Sequence, residues 1–174
     1  TDNVSNIDTK GLKIVNKIVI SAESRGELLD SLRGVKERFK IVSVKPLSVE
    51  SARTAAHDTR VDTIIIDDET YEYIDKAQIN LMKQFRKPLE LPFNKYLALN
   101  DGLKAVIYRR LKYYLSIAKQ PLIISSYANN WNEVLIPRCI VYYASLLLGL
   151  HVKQALLFIT SYPREILLRN GVSV

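Results

Sequence analysis

Five short apolar runs punctuate this sequence, at residues 14–20, 40–44, 61–66, 89–93 and 122–124, and stretches of helical spacing separate them. The first is rich in β-branched residues, and Val61-Asp-Thr-Ile-Ile-Ile66 has the near-continuous apolar pattern of a strand buried on both faces. Ser24-Arg-Gly-Glu27 has capping-box spacing and predicts a helix reaching Phe39. Ser48 predicts the cap of a helix running toward Asp58, and residues 76–85 read as another. Asn100 predicts a helix to about Ala118. Strand centres fall roughly 22 to 32 residues apart, the length of a βα unit. Repeated βα units predict an α/β chain with one parallel sheet, wound as a barrel or doubly wound. Five strands are too few to close an eight-stranded barrel. The last third reads as helices at 136–148, 153–159 and 163–169, with Pro163 near the start of the final one and Gly171 just past its end.

At 174 residues, with 48% hydrophobic, the chain has the size and core of one domain, and no Gly/Ser linker or internal repeat divides it. The longest apolar candidate, 139–150, is shorter than the roughly 18 residues a membrane span needs. Residues 1–10 are polar and carry Asp2 and Asp8, so no signal peptide is expected. Together these predict a soluble, cytoplasmic protein without a membrane partner. Cys139 is the single cysteine, which excludes an internal disulfide or a cysteine-built zinc site. Its apolar neighbours predict a packed thiol.

Charge is distributed unevenly. The net +7 resolves into +3 over residues 1–61, −6 over 62–75, +8 over 76–119 and +2 over the remainder. The basic block is therefore where phosphate contacts are expected.

Catalytic chemistry finds little support. His57 and His151 are the only histidines, and both read as helix-end residues, where a cation meets the helix dipole. Asp67 and Asp68 end a predicted strand, where a barrel would carry catalytic carboxylates, but no histidine accompanies them. The stretch 67–73 reads as a solvated acidic loop, and no metal site is assigned. Ser125 and Ser126 end the fifth strand without a GxSxG elbow or a triad histidine. The six scattered glycines form neither a P-loop nor GxGxxG.

Binding chemistry is better represented. On the helix from Asn100, Leu103, Val106, Ile107, Leu111, Tyr114, Leu115 and Ala118 recur at three- and four-residue steps as a buried stripe. Lys104, Tyr108 and Lys112 share another face, with Arg109 and Tyr113 beside them. Cations interleaved with aromatics suit RNA, whose phosphates take the charge while exposed bases stack on tyrosine. A solvated face with snorkelling lysines is the plainer reading of that pattern. The low acid count of 76–119 favours RNA.

Several motifs in order resemble a known family. Ile124-Ser125-Ser126, the loop to Pro137-Arg138, the Leu148-Gly149-Leu150 turn, Ala155 and Ser161-Tyr-Pro-Arg-Glu-Ile-Leu-Leu168 look like the archaeal ribonuclease P protein component 3. Its eukaryotic relative is the thirty-kilodalton-class subunit of ribonucleases P and MRP. Ile41-Val-Ser-Val-Lys-Pro46, Arg60-Val-Asp62-Thr-Ile-Ile-Ile66 and Leu89-Glu-Leu-Pro-Phe93 fit the same order, and the resemblance covers about residues 12–171.

The resemblance implies a TIM-barrel-like fold and a noncatalytic subunit of a ribonucleoprotein. In such an enzyme the RNA holds Mg2+ and cleaves precursor tRNA to release its 5′ leader. This chain would bind no cofactor of its own. Expected partners are the ribonuclease P RNA, precursor tRNA, a small α/β protein subunit and the other holoenzyme proteins. Expected RNA contacts are Lys104, Arg109, Lys112 and Arg138, with Ser125 and Ser126 in a recognition loop or partner contact. Cys139 stands where the family usually has Asp, and Leu135 where it often has Arg. The family's strand–helix–strand before residue 14 is not evident, which predicts an incomplete barrel with exposed sheet edges. The competing expectation is a metal-dependent phosphoesterase barrel using Asp67 and Asp68. A third is a protein-interaction scaffold with incidental positive charge.

Overall fold

The computed structural model describes residues 14–118 and 121–172, so the reading of residues 1–10 lies outside the described residues. Its strands are β1 (Lys17–Ala22), β2 (Ile41–Pro46), β3 (Thr63–Ile65), β4 (Leu89–Pro92) and β5 (Leu122–Ser125). They form one sheet in chain order, every neighbouring pair parallel. An order that never reverses means winding in one sense, which is the barrel alternative and not the doubly wound one.

The connecting helices start where side chains cap them. Helix α1 (Arg25–Ser31) begins at Ser24, whose Oγ accepts from Glu27 N at 3.2 Å, while Glu27 Oε2 accepts from Glu23 N at 2.8 Å. The single helix predicted to Phe39 is in fact two. Gly34 adopts φ 65°, a left-handed geometry that ends one helical run, and α2 (Val35–Arg38) restarts behind it. Helix α3 (Val49–His57) opens with a reciprocal box: Ser51 N donates to Ser48 Oγ at 3.1 Å, and Ser48 N to Ser51 Oγ at 3.2 Å. Asp75 caps α4 (Lys76–Gln84). Between β4 and β5 lie α5 (Phe93–Ala98), which the sequence pattern did not predict, and α6 (Asp101–Ala118). After β5 come α7 (Pro137–Leu148), α8 (Val152–Leu157) and α9 (Ser161–Arg169).

Strand alternation sorts side chains onto two unlike faces. Val42, Val44, Ile64, Ile66, Leu89, Leu91, Leu122 and Ile124 are buried in the apolar core with Leu28, Ala55, Ile79, Met82, Ile107 and Leu111 of the covering helices. Each large aliphatic side chain among them contributes about 1.5–3 kcal/mol, so this layer carries the fold.

The opposite, inner face is polar. Glu90 of β4, 1% exposed, pairs there with Lys17 of β1. Ser125 of β5 donates to the same carboxylate oxygen at 2.6 Å, and Ser43 of β2 to the other oxygen at 2.8 Å. Thr63 of β3 also reaches that second oxygen. One carboxylate thus ties its own strand to the four others.

Two further contacts tie the C-terminal helices to the sheet. Ile124 N donates to Phe158 O at 3.2 Å, so the C-terminal helices cover the β5 edge. On the far side, β1 pairs only with β2 among the described residues. At the N-terminal ends of the strands, Asp62 accepts from Lys36, from Val42 N at 2.8 Å and from Asn170 Nδ2 at 2.9 Å, anchoring the chain just after α9.

Burial alone would raise the Glu90 pKa, but the Lys17 ammonium and the hydrogen bonds from Lys17, Ser125 and Thr63 outweigh it and hold the carboxyl below its usual value. A depressed folded pKa gives stability that is present above the unfolded value and is lost as pH falls through the folded one. Glu90→Ala should therefore lower unfolding free energy at neutral pH by about 3–5 kcal/mol, by leaving the cation and hydroxyls without their acceptor. Glu90→Gln should lose less and show a flatter decline in stability below about pH 4.5 than the wild type. Urea unfolding across pH 3–7 measures both, and equal acid slopes would contradict the assignment.

Candidate nucleic-acid interface

Helix α6 starts as predicted, with Asn100 Oδ1 accepting from Leu103 N at 2.9 Å. Ile107, Leu111 and Tyr114 are fully buried, whereas Leu103, Val106 and Leu115 flank them half-buried; the Ala118 side chain lies outside what is described. The Tyr114 hydroxyl accepts from Leu89 N at 3.1 Å and lies 3.2 Å from Pro121 O, pinning the helix to the starts of β4 and β5.

The predicted cations of α6 do not share one plane. Arg109 points outward, and its Nε donates only to Ala105 O, one turn back. Lys112 is exposed on the flank nearest α7, its Nζ 5.7 Å from the Tyr108 ring centroid. The same ammonium sits 3.7 Å from where a Cβ would stand on Gly149, the left-handed C-cap of α7, and so faces that helix's negative end. Lys104 is half-buried, with Asp101 Oδ1 at 4.0 Å. Arg110, half-buried, donates to Ile74 O at 3.0 Å.

The net +8 of the basic block overstates what it presents. Lys87, 6% exposed, donates to Asp58 O at 2.6 Å and to Val61 O. Burial, helped by the Arg169 charge, pulls its pKa down to about 8. Lys95 lies 3.7 Å from Asp67 Oδ2. The remaining members tell more. Lys76, Lys83, Arg86, Arg109 and Lys112 are exposed and pair with no carboxylate among the described residues. By contrast Lys17, Lys36, Lys45, Arg53 and Arg60, which pack around the sheet, are all ion-paired, whereas Arg25, Arg38 and Lys40 are exposed and pair with no carboxylate among the described residues. The outer surface of α4 and α6 is thus a set of free cations.

At the C-terminal mouth of the sheet, the acidic loop is solvated as expected at Asp68, Glu69 and Glu72, but not at Asp67. Asp67 is 2% exposed, and its Oδ1 accepts from Glu69 N at 3.1 Å and Thr70 N at 3.2 Å. Its Oδ2 faces Lys45 Nζ at 2.9 Å, and Lys45 also donates to Glu69 at 2.7 Å. Burial lowers the Lys45 pKa, but the hydrogen bonds to Glu69 and Asp67 more than reverse this and hold it above the ordinary lysine value. Asp67, Asp68 and Glu69 bring their oxygens within 4.8 Å of one another, close enough for a cation. Two lysine ammoniums already occupy the approach to Asp67, so the donor set does not fit a resident metal.

Ser125 and Ser126 part company. The Ser125 hydroxyl is held inside by Glu90, whereas Ser126 contributes its carbonyl to Asn94 N at 3.2 Å at the strand end. Arg138 is exposed at the second position of α7 and pairs with no carboxylate among the described residues. Cys139 is exposed, contrary to the packed thiol expected, because the buried face of α7 is built from Ile140, Val141, Ala144 and Leu148. His57 does end α3. His151 instead caps the start of α8, its Nδ1 accepting from Lys153 N at 3.2 Å, so a cation at that position would lose the bond.

Sequence reasoning missed Glu90, Lys17, Lys45 and Tyr127. Tyr127 follows the serine pair at φ 52°, a left-handed geometry rare for a tyrosine, with its hydroxyl buried and the Lys17 ammonium 5.1 Å from its ring centroid. The available signal was a charged residue at mid-strand in each of two apolar runs, Glu90 and Lys45.

A singly wound parallel sheet with a paired polar network on its inner face defines a TIM-barrel-like α/β protein. The chain belongs to the RNase P subunit p30 family, whose profile matches residues 3–173. It is thereby a protein subunit of ribonuclease P with a role in tRNA processing, and the phosphoesterase alternative is not favoured. A chain in a cryo-EM structure of archaeal ribonuclease P with mature tRNA shares the fold. That match has a TM-score of 0.78 at 19% identity and covers 94% of this chain and 71% of that one. No curated protein sequence matches this chain. Among the described residues, no helix is long and apolar enough to cross a membrane.

Ion pairing separates residues that hold the fold from those that face outward. Arg109→Ala and Arg138→Ala should each change unfolding free energy by less than about 0.5 kcal/mol. Lys45→Ala, which strands the buried Asp67, should cost about 3 kcal/mol or more. Thermal denaturation of the three variants checks this ordering.

Proposed function

We propose that this chain is a noncatalytic, RNA-binding and partner-binding subunit that supports the RNA of ribonuclease P as that RNA cleaves precursor tRNA. The observation that carries this reading is the contrast in ion pairing. Acids compensate the cations packed around the sheet, Lys17, Lys36, Lys45, Arg53 and Arg60, while Lys76, Lys83, Arg86, Arg109 and Lys112 on or beside α4 and α6 are left free in water, as are Arg25, Arg38 and Lys40 among the described residues. A surface that keeps cations unpaired pays for it in self-repulsion unless a polyanion meets it.

In this reading Arg109 and Lys112 contact phosphates directly. Lys104, restrained near Asp101, contributes less. Contact at the end of β5 falls to Ser126 and Arg138, because Ser125 is engaged inside with Glu90. The chain binds no cofactor, and the Mg2+ of the reaction belongs to the RNA. Its partners are the ribonuclease P RNA, precursor tRNA, the small α/β subunit and the other proteins of the holoenzyme, in a cytoplasmic setting.

Binding of the ribonuclease P RNA across a salt series tests the interface. Arg109→Ala with Lys112→Ala should weaken affinity and flatten the log–log salt slope by roughly one unit per lost phosphate contact. An unchanged slope would sink the α6 assignment. Precursor-tRNA cleavage by the RNA and partner proteins should rise when the chain is added. Cleavage of RNA by the chain alone in Mg2+ or Mn2+ would end the noncatalytic reading.

A further inference from the structure

Helix α7 carries two apolar stripes, and the protein covers one of them fully and the other only at Tyr143, whose ring meets Phe93 edge-on at 5.2 Å. Ile140, Val141, Ala144 and Leu148 face the core. On the opposite side Cys139, Tyr142, Tyr143 and Leu146 recur at steps of three, one and three, the spacing of a second buried face. Yet Leu146 is 84% exposed and Tyr142 58%. The loop leading into the helix continues the patch with Trp131 at 88%, Val134 and Ile136, and Val152 and Leu156 extend it along α8. A helix apolar all round is a buried helix, and an exposed apolar surface of this continuity marks an interaction site.

The chemistry of the patch selects its occupant. A cavity of about 260 Å3 between α7 and α8 is lined by Pro137, Val141, Tyr142, Val152, Leu156 and Ile159, with Arg138 and Lys153 beside it. Trp131 and Tyr142 could stack on bases, but Leu146, Val134 and Ile136 and the groove lining of Pro137, Val141, Val152, Leu156 and Ile159 are aliphatic and offer nucleic acid neither a stacking platform nor a hydrogen bond, so apolar side chains of a protein are the better match. Arg138 is the only charged residue of α7, and α8 carries Lys153 and no carboxylate. With a net charge of +7, a second copy of this chain would meet that rim with like charge.

We propose that the outer face of α7 and α8 docks a separate protein, whose apolar side chains enter this groove and whose carboxylates meet Arg138 and Lys153. This deepens the partner-binding half of the proposed function and assigns it a surface distinct from the RNA-facing side of α6. Leu146 and Tyr142 are the apolar anchors, and the two cations set orientation.

The test uses a particle reconstituted from the ribonuclease P RNA and its protein subunits, with a photoreactive phenylalanine derivative at position 146 and, separately, at position 109. Position 146 should crosslink to another protein subunit and position 109 to RNA. In parallel, Leu146→Glu and the Arg138→Glu/Lys153→Glu pair should each weaken association with the crosslinked subunit at least tenfold, measured without RNA. Circular dichroism for every variant, and an unchanged RNA salt slope for Leu146→Glu, would show the variants folded. A crosslink from 146 to RNA, to a second copy or within the chain itself overturns the proposal, as does no crosslink at all or full-strength association of Leu146→Glu. The two readings fail separately. Loss of RNA binding with the protein crosslink intact removes only the α6 interface, and the converse removes only this docking face.

Discussion

A carboxylate 1% exposed at the middle of a parallel sheet must be compensated on every side or protonate. Glu90 meets that demand by drawing one partner from each of the other strands: Lys17, Ser43, Thr63 and Ser125. The consequence is geometric as well as electrostatic. A slip of one residue in any strand would turn its polar partner toward the helices and send an aliphatic residue to the carboxylate. Apolar burial on the outer face supplies most of the stability, but it tolerates Val, Ile and Leu nearly interchangeably. The Glu90 network is what makes a single register of the sheet the only acceptable one.

Much of this fold was legible because helix and strand periods are local properties. All five strands and every long helix fell where their patterns lay, and the caps at Ser24, Ser48 and Asn100 were read from side chains that make those bonds. The misses have physical causes. The stretch from Ser24 to Phe39 reads as one helix, and the positive φ of Gly34 splits it into α1 and α2. Residues 93–98 were too short a run to show a period, and α5 went unseen. The choice between barrel and doubly wound sheet was undecidable locally, since strand order is a property of pairing.

Site residues were less legible, because burial is collective. Asp67 reads as loop solvent in sequence, yet Lys45, twenty-two positions away, turns it into a buried ion pair. Ser125 stood out correctly as a polar strand end, but its role lies inward with Glu90. Cys139 looked packed because its neighbours are apolar on both sides, and that same feature is the trace of α7's second stripe. An apolar helix of ambiguous face looks in sequence like core. Only the placement of Ile140, Val141, Ala144 and Leu148 inside shows that Tyr142 and Leu146, on the other side, are left largely exposed.

The two outward surfaces depend on the sheet that carries them. Tyr114 fastens α6 by a buried hydroxyl that accepts from Leu89 N and reaches Pro121 O, at the entries to β4 and β5. Helix α7 follows β5 across a loop that Asn94 holds from α5, through its side-chain bond to Glu133 O at 2.9 Å. Where α7 ends, Gly149 lies against the Lys112 ammonium of α6. The cationic face and the apolar face are therefore set relative to one another by the buried Tyr114 hydroxyl, the part-buried Asn94 bond and the contact of Lys112 with Gly149. Such preorganisation reduces the ordering cost of each association. It also means that binding at one face presents the other in a defined direction, which is what a subunit placed between RNA and protein requires and what a freestanding hydrolase would have no use for.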